Sequence, residues 1–284
     1  MRFCFFFVNF TFQISRMKRQ TILFLLLFVS QVLWAQEQLV FKSKNLPKPD
    51  TVWVFSPQNA KPNQTLPLVF LLHGYSGNYK QWDNIMKAQA YANEYGFILV
   101  CPDGLYNSWY LNSPIKKDWQ YESFFFDELY PQIITKYPVQ KDKVFITGLS
   151  MGGHGALHLF LQKPALFASA GSTSGGVKLS DGYGKWGLSS LLGDPQINPS
   201  NWDSCSVINQ IDKLKDTNKP FIFDCGADDF FYKSNNELKK KCDELKLKAT
   251  YISQPGGHNR TYWAHSIRQH FDFFKNLIKT DKPN

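Results

Sequence analysis

A glycine-flanked serine, Gly148-Leu149-Ser150-Met151-Gly152, constrains this chain more than any other feature. An apolar, β-branched run, Val144-Phe145-Ile146-Thr147, precedes it, and a stretch of helical composition from Gly152 to Phe160 follows. Strand, G-x-S-x-G, helix is the context in which this pentapeptide forms a sharp turn that lifts the serine clear of a sheet. Side chains at the flanking positions of such a turn would collide with the neighbouring strand or helix. Gly148 and Gly152 remove them, and Gly153 lets the helix pack closer still. The helix N-terminus then lies behind the hydroxyl, and its positive dipole end favours a developing oxyanion.

The rest of the chain alternates in the same way. Strands are expected at 51–55, 68–72, 97–101, 144–147, 167–171, 221–223 and 250–252, and helices at 85–95, 124–137, 151–162, 235–246 and 264–278. Buried strands alternating with helices predict an α/β fold, a mostly parallel central sheet with helices on both faces. The stretch 175–204, rich in Gly, Ser, Asn and Trp, reads as one long irregular insertion, either part of a site's rim or a surface excursion.

The N-terminus reads as a targeting segment. Met17-Lys18-Arg19 is a short basic region, Ile22 to Leu33 an apolar one, and Ala35 offers a cut before Gln36. The apolar run falls short of the roughly 20 residues a membrane span needs. Residues 1–16 are Phe-rich and precede a complete signal sequence, which points to Met17 as the start. The expected division is a signal segment over 1–35 and a single domain over 36–284, exported to the periplasm or the medium, with no stable membrane span after cleavage. The formal charge is +9; without 1–35 there remain 28 basic and 23 acidic residues, a mild +5. No basic run is interleaved with aromatics, which argues against a nucleic-acid partner. Cys101 and Cys225 each end an expected strand and read as small core residues, whereas Cys205 and Cys242 are the better placed to pair if a disulfide forms. No Cys/His cluster has zinc spacing, so neither metal nor cofactor is expected.

A serine hydroxyl needs a base, and the base an orienting acid. Two loops leaving later strands supply candidates: Asp228 and Asp229 after Phe221–Cys225, and His258 after Thr250–Ile252 through Pro255-Gly256-Gly257. In open α/β sheets, sites gather at such carboxyl ends. His73, at the end of an early strand, reads as shaping a loop; His154, His158, His265 and His270 read as packed or solvated. The oxyanion needs two N–H donors. Met151, after the serine, supplies one, and Tyr75 in His73-Gly74-Tyr75-Ser76-Gly77 the other.

Taken together, Leu71–Asn78 with Trp82, Glu128-Leu129-Tyr130-Pro131, Gly148–Ala156, Cys225–Asp229 and Gly257-His258 with Trp263 resemble the esterase D and carbohydrate esterase family one hydrolases over about 50–278. That resemblance implies an α/β-hydrolase fold and acyl transfer by Ser150, His258 and Asp229, since in the family's acid loop the aspartate stands three after the glycine. Arg260 departs from the pattern, where many members carry an aromatic. The family includes feruloyl and acetyl-xylan esterases, S-formylglutathione hydrolases, simple-acyl esterases and mycolyl transferases. Export argues against the formylglutathione branch. Trp109, Tyr110, Trp119, Tyr121, Trp186 and Trp202 would suit stacking on sugar rings or a phenolic acyl group, and would equally serve rim and core packing. The expected activity is a serine carboxylic-ester hydrolase acting on acylated oligo- or polysaccharide. A simple-acyl esterase, an acyltransferase and a thioesterase are the alternatives, with a non-catalytic carbohydrate-binding relative last.

Overall fold

The computed structural model describes residues 36–280; the signal segment and the start at Met17 lie outside them. Eight strands form one sheet: β1 (Gln36–Phe41), β2 (Asp50–Phe55), β3 (Leu66–Leu72), β4 (Ile98–Pro102), β5 (Val139–Gly148), β6 (Ser169–Thr173), β7 (Phe221–Gly226) and β8 (Ala249–Gln254). Their spatial order is β1-β2-β4-β3-β5-β6-β7-β8. β1 pairs antiparallel with β2, and β2 with β4, while every pairing from β4 to β8 is parallel. After β3 the chain turns to one side for β4 and then to the other for β5. This reversal opens a crevice at the carboxyl ends of β3 and β5, where ligands of open α/β sheets bind.

The helices are α1 (Gln81–Met86), α2 (Ala88–Tyr95), α3 (Tyr121–Phe124), α4 (Tyr130–Lys136), α5 (Met151–Gln162), α6 (Leu188–Leu192), α7 (Pro199–Cys205), α8 (Val207–Gln210), α9 (Tyr232–Glu244) and α10 (Arg260–Thr280). The period-two alternation of strand side chains divides the core in two. Leu68, Phe70, Ile98, Val100, Val144, Ile146 and Phe223 face a layer containing α3, α4, α5 and α9. Val69, Leu71, Leu99, Phe145 and Ile222 face α1, α2 and α10, where Phe145 stacks on Phe274 at 4.7 Å. Helices therefore cover both faces, as the sequence predicts.

Several boundaries differ from the expectations. β1 is absent from them because its first three residues, Gln36-Glu37-Gln38, are polar and the strand is largely exposed up to Phe41, and its order comes from pairing with β2. The helix expected at 85–95 is two, α1 and α2, broken where Lys87 takes the left-handed conformation at φ 57°. The span 124–137 begins earlier and carries a π-helical turn over Phe125–Leu129 between α3 and α4. Only the second half of β5 was foreseen, because a register shift opposite Leu66/Leu68 leaves the Gln140–Asp142 stretch poorly buried. The 175–204 stretch is not irregular: it contains a 3-10 turn (Leu179–Gly182), α6 and most of α7. Cys205 and Cys242 do not pair. All four described cysteines are free, Cys242 turned into the core from the last turn of α9 and Cys205 half-buried at the end of α7.

Candidate active site

Ser150 sits between β5 and α5 with φ 55° and ψ −116°, a backbone conformation that few L residues adopt and that functional sites retain when surrounding structure enforces it. The enforcement is visible. The Ser150 N–H donates to Thr173 O at 3.0 Å, and its carbonyl accepts from His154 N at 3.0 Å. A Cβ on Gly148 would lie 2.3 Å from Gly152 O, and one on Gly152 would lie 2.2 Å from Leu72 O. Both glycines are thus steric requirements of the turn, as the sequence argument holds.

The structure brings the three expected groups into one line. Ser150 Oγ lies 2.9 Å from His258 Nε2, and His258 Nδ1 lies 2.9 Å from Asp229 Oδ2. Asp229 is buried, and its second oxygen accepts the Phe231 N–H at 2.8 Å. Asp228, the neighbouring candidate, is exposed and makes no side-chain hydrogen bond to a described residue; its N–H donates to Gly256 O. With Asp229 accepting from Nδ1–H, the Nε2 of His258 is free to take the serine proton. Cys225 lies behind the acid loop, where burial, reinforced by Asp229 and Asp224, pushes its thiol well up and keeps it neutral.

The two expected oxyanion donors are unspent. Met151 opens α5, so its N–H has no partner within the helix. The Tyr75 N–H donates to no described residue, although the N–H groups of Gly74, Ser76 and Gly77 are all bonded. His73 holds this loop. Gly104 N–H donates to His73 Nε2 at 2.7 Å, which leaves Nδ1 to carry the proton toward Gly74 O, also 2.7 Å away. Tyr110 OH adds a bond to His73 O at 3.0 Å.

Ser150 opens into a cleft of about 270 Å³ walled by Tyr75, Leu149, Trp186, Phe230, His258 and Trp263. Phe230 stacks on Trp186 and lies 4.2 Å from the His258 ring, centroid to centroid, and Trp263 meets His258 edge-on at 5.1 Å. Of the six aromatics proposed for stacking, Trp109, Tyr110, Tyr121 and Trp202 are buried, because they pack against His154, one another and the insertion. Trp186 alone of the six lines the cleft. Phe230, more than half exposed, joins it in the lining unannounced by any motif, and the exposed Tyr106 packs against Tyr75 at 5.0 Å. Arg260 opens α10 and donates to Asn84 O, outside the cleft lining. Of the other histidines, His154, His158 and His270 are buried and bonded to carbonyls, Glu122 and Asp224 respectively. A larger groove of about 560 Å³ runs past the opposite ends of β3 and β4, and its lining holds no serine, cysteine or histidine. Among the described residues no cluster of His, Cys, Asp or Glu is placed to hold a metal, and no helix is long and apolar enough to cross a membrane.

This strand order, with a serine raised at the end of the central strand, makes the molecule an α/β-hydrolase. The chain belongs to the esterase family described as "Putative esterase", which it matches over residues 43–274. It is 25% identical to an acetyl esterase of Caldicellulosiruptor saccharolyticus, with 84% of this chain and 98% of the relative aligned. A ferulic acid esterase superposes with a TM-score of 0.73 at 23% identity, covering 85% of this chain and 98% of the other. The S-formylglutathione hydrolase FrmB of Staphylococcus aureus gives 0.69 at 21% identity, with the same coverage. The protein is an enzyme, a carboxylic ester hydrolase.

Proposed function

We propose that this esterase is exported and removes acyl groups, acetyl or feruloyl, from plant polysaccharide such as xylan, with Ser150, His258 and Asp229 as its catalytic triad. The unbroken hydrogen-bonded line from Asp229 through His258 to Ser150 carries the catalytic part. His258 takes the proton from Ser150 Oγ as that oxygen attacks the ester carbonyl. Asp229 keeps the imidazole in the productive tautomer and stabilises its charged form. The N–H groups of Met151 and Tyr75 receive the oxyanion. His258 then protonates the departing alcohol, and an acyl-enzyme remains. Water, deprotonated by His258, attacks that ester and releases the acid and the free serine.

The polysaccharide part draws on the aromatic cleft wall of Trp186 and Phe230, which offers flat faces for a sugar ring or a phenolic acyl group, and on relatives named acetyl esterase and ferulic acid esterase. Export draws on the N-terminal segment. Its short basic stretch, apolar run and Ala35 before Gln36 have the order of a cleavable signal sequence.

The test is release of acid from feruloylated and acetylated xylo-oligosaccharides, with Ser150→Ala as control. That variant should keep its circular dichroism spectrum and lose about 10³-fold or more in kcat; near-native turnover would remove Ser150 from the mechanism. A strong preference for one substrate identifies the acyl group. Slow turnover of both beside fast cleavage of small synthetic esters would overturn the polysaccharide reading. New esters formed on adding acceptor alcohols would mark a transferase.

A further inference from the structure

Beneath the triad lies a second set of polar side chains that the ester chemistry does not use. At its centre is Asp224 on β7, fully buried. Its Oδ1 accepts from Thr173 Oγ1 at 2.9 Å and from Tyr262 OH at 2.7 Å, while Oδ2 faces His270 Nε2 at 2.7 Å. A carboxylate at such depth needs hydrogen-bond donors on both oxygens, and three donors supply them here. These donors come from separate places, β6, the first turn of α10 and the middle of α10.

Each donor leads to a different part of the site. Thr173, held through its hydroxyl by Asp224 and by Ser266 Oγ at 2.9 Å, uses its carbonyl to accept the Ser150 N–H, the bond that anchors the strained turn. His270 turns its other nitrogen to Thr147 Oγ1 at 2.8 Å, three residues before Ser150 on β5. Tyr262 follows His258 by four residues, and its ring packs so closely on Gly256 that a Cβ there would come within 2.5 Å of it. Gly256, at φ 135°, accepts the N–H of Asp228 in the acid loop. One carboxylate therefore ties together the turn that carries the serine, the loop that carries the histidine and the loop that carries the acid. The Thr147–His270–Asp224 line has the same hydroxyl, imidazole, carboxylate order as the triad, but all three groups are fully buried, so no substrate reaches it.

We propose that Asp224 is a positioning residue of the esterase, which sets the distance between Ser150 and His258 through Thr173, Tyr262 and His270. The inference rests on the triad reading above. Without the carboxylate the three loops lose their common anchor, and a misplacement of about 1 Å between reacting groups costs on the order of a hundredfold in rate.

The experiment is active-site titration with a fluorophosphonate together with steady-state hydrolysis of p-nitrophenyl acetate, on the full chain and on Asp224→Asn, Tyr262→Phe and Thr173→Val. Leu238→Ala, a buried position on α9 outside the network, serves as a control for lost stability. In Asp224→Asn, kcat per titrated site should fall by about ten- to a hundredfold with KM within about twofold. Tyr262→Phe should fall less, in the same direction, and Leu238→Ala should lower Tm while keeping kcat per titrated site. A kcat per site within about twofold of native in Asp224→Asn would overturn the proposal and leave the network a purely structural one. Should that variant not fold, native values in both Tyr262→Phe and Thr173→Val would overturn it equally. Retained activity in Ser150→Ala, run in the same assay, would instead sink the triad reading itself.

Discussion

Asp228 and Asp229 are neighbours in the chain and opposites in their surroundings. Asp229 is buried with both oxygens engaged, and Asp228 faces solvent. Asp229→Asn should therefore lower kcat by about 10³- to 10⁴-fold, because the amide can hold the wrong tautomer of His258, while Asp228→Asn stays within a fewfold of native. Steady-state rates on a small ester check this, and the reverse order would move the acid by one residue. A third aspartate makes a prediction about stability. Asp50 is fully buried at the start of β2, and neither carboxylate oxygen makes a hydrogen bond of good geometry, although the Tyr121 hydroxyl and the Asp103 backbone lie close by. Burial first, then the charge of Asp103, raises its carboxyl well above the usual range. The folded state thus holds this proton more tightly than the unfolded chain, whose carboxyl titrates near 4. The contribution to stability is complete below about pH 4 and is lost as pH climbs through the folded value. Asp50→Asn should be more stable than native at pH 7, with the advantage vanishing toward pH 4 in urea titrations. Equal destabilisation at both pH values would contradict this.

Lys87, exposed between α1 and α2, holds φ 57° and ψ 73° without a glycine's freedom. Lys87→Gly should stabilise the fold by about 0.5–1 kcal/mol, the relief of left-handed strain less the added freedom of the unfolded chain. A fall in the urea midpoint would show that the lysine side chain matters more than its backbone. This junction also shows where elements escape sequence reading. A lysine carries no breaker signal, so two helices read as one. β1 escaped for the complementary reason, since Gln36-Glu37-Gln38 has little apolar content and gains its order only from β2. The turn at Ser150 was legible because sterics leave glycine as the only residue that fits at 148 and 152. Burial of Trp109 and Tyr110 was not, because it depends on the ring of His154 and the carbonyl of His73, both distant in sequence.

At the scale of the molecule, the alternation of apolar strands with helices carried the class of fold, and the loop order offered Ser150, Asp229 and His258 as candidates that the fold sets in one hydrogen-bonded line. The aromatic rim did not emerge this way. Trp186 and Phe230 lie 44 positions apart, and only the fold sets one ring on the other. The Asp224 network is equally non-local, drawing on β5, β6, β7 and α10. A sheet whose site gathers strands from the middle of the chain and a helix from its end also imposes an order in time. Domains form as synthesis proceeds from the N-terminus. Ser150 is made more than a hundred residues before His258, and His270 comes later still, on the helix that ends the described chain. On the proposed triad, an emerging polypeptide therefore already carries Ser150 but not His258, nor the last donor to the carboxylate of Asp224. If His258 is the base of the proposed triad, ester cleavage by that route has to wait for the loop and helix that follow β8.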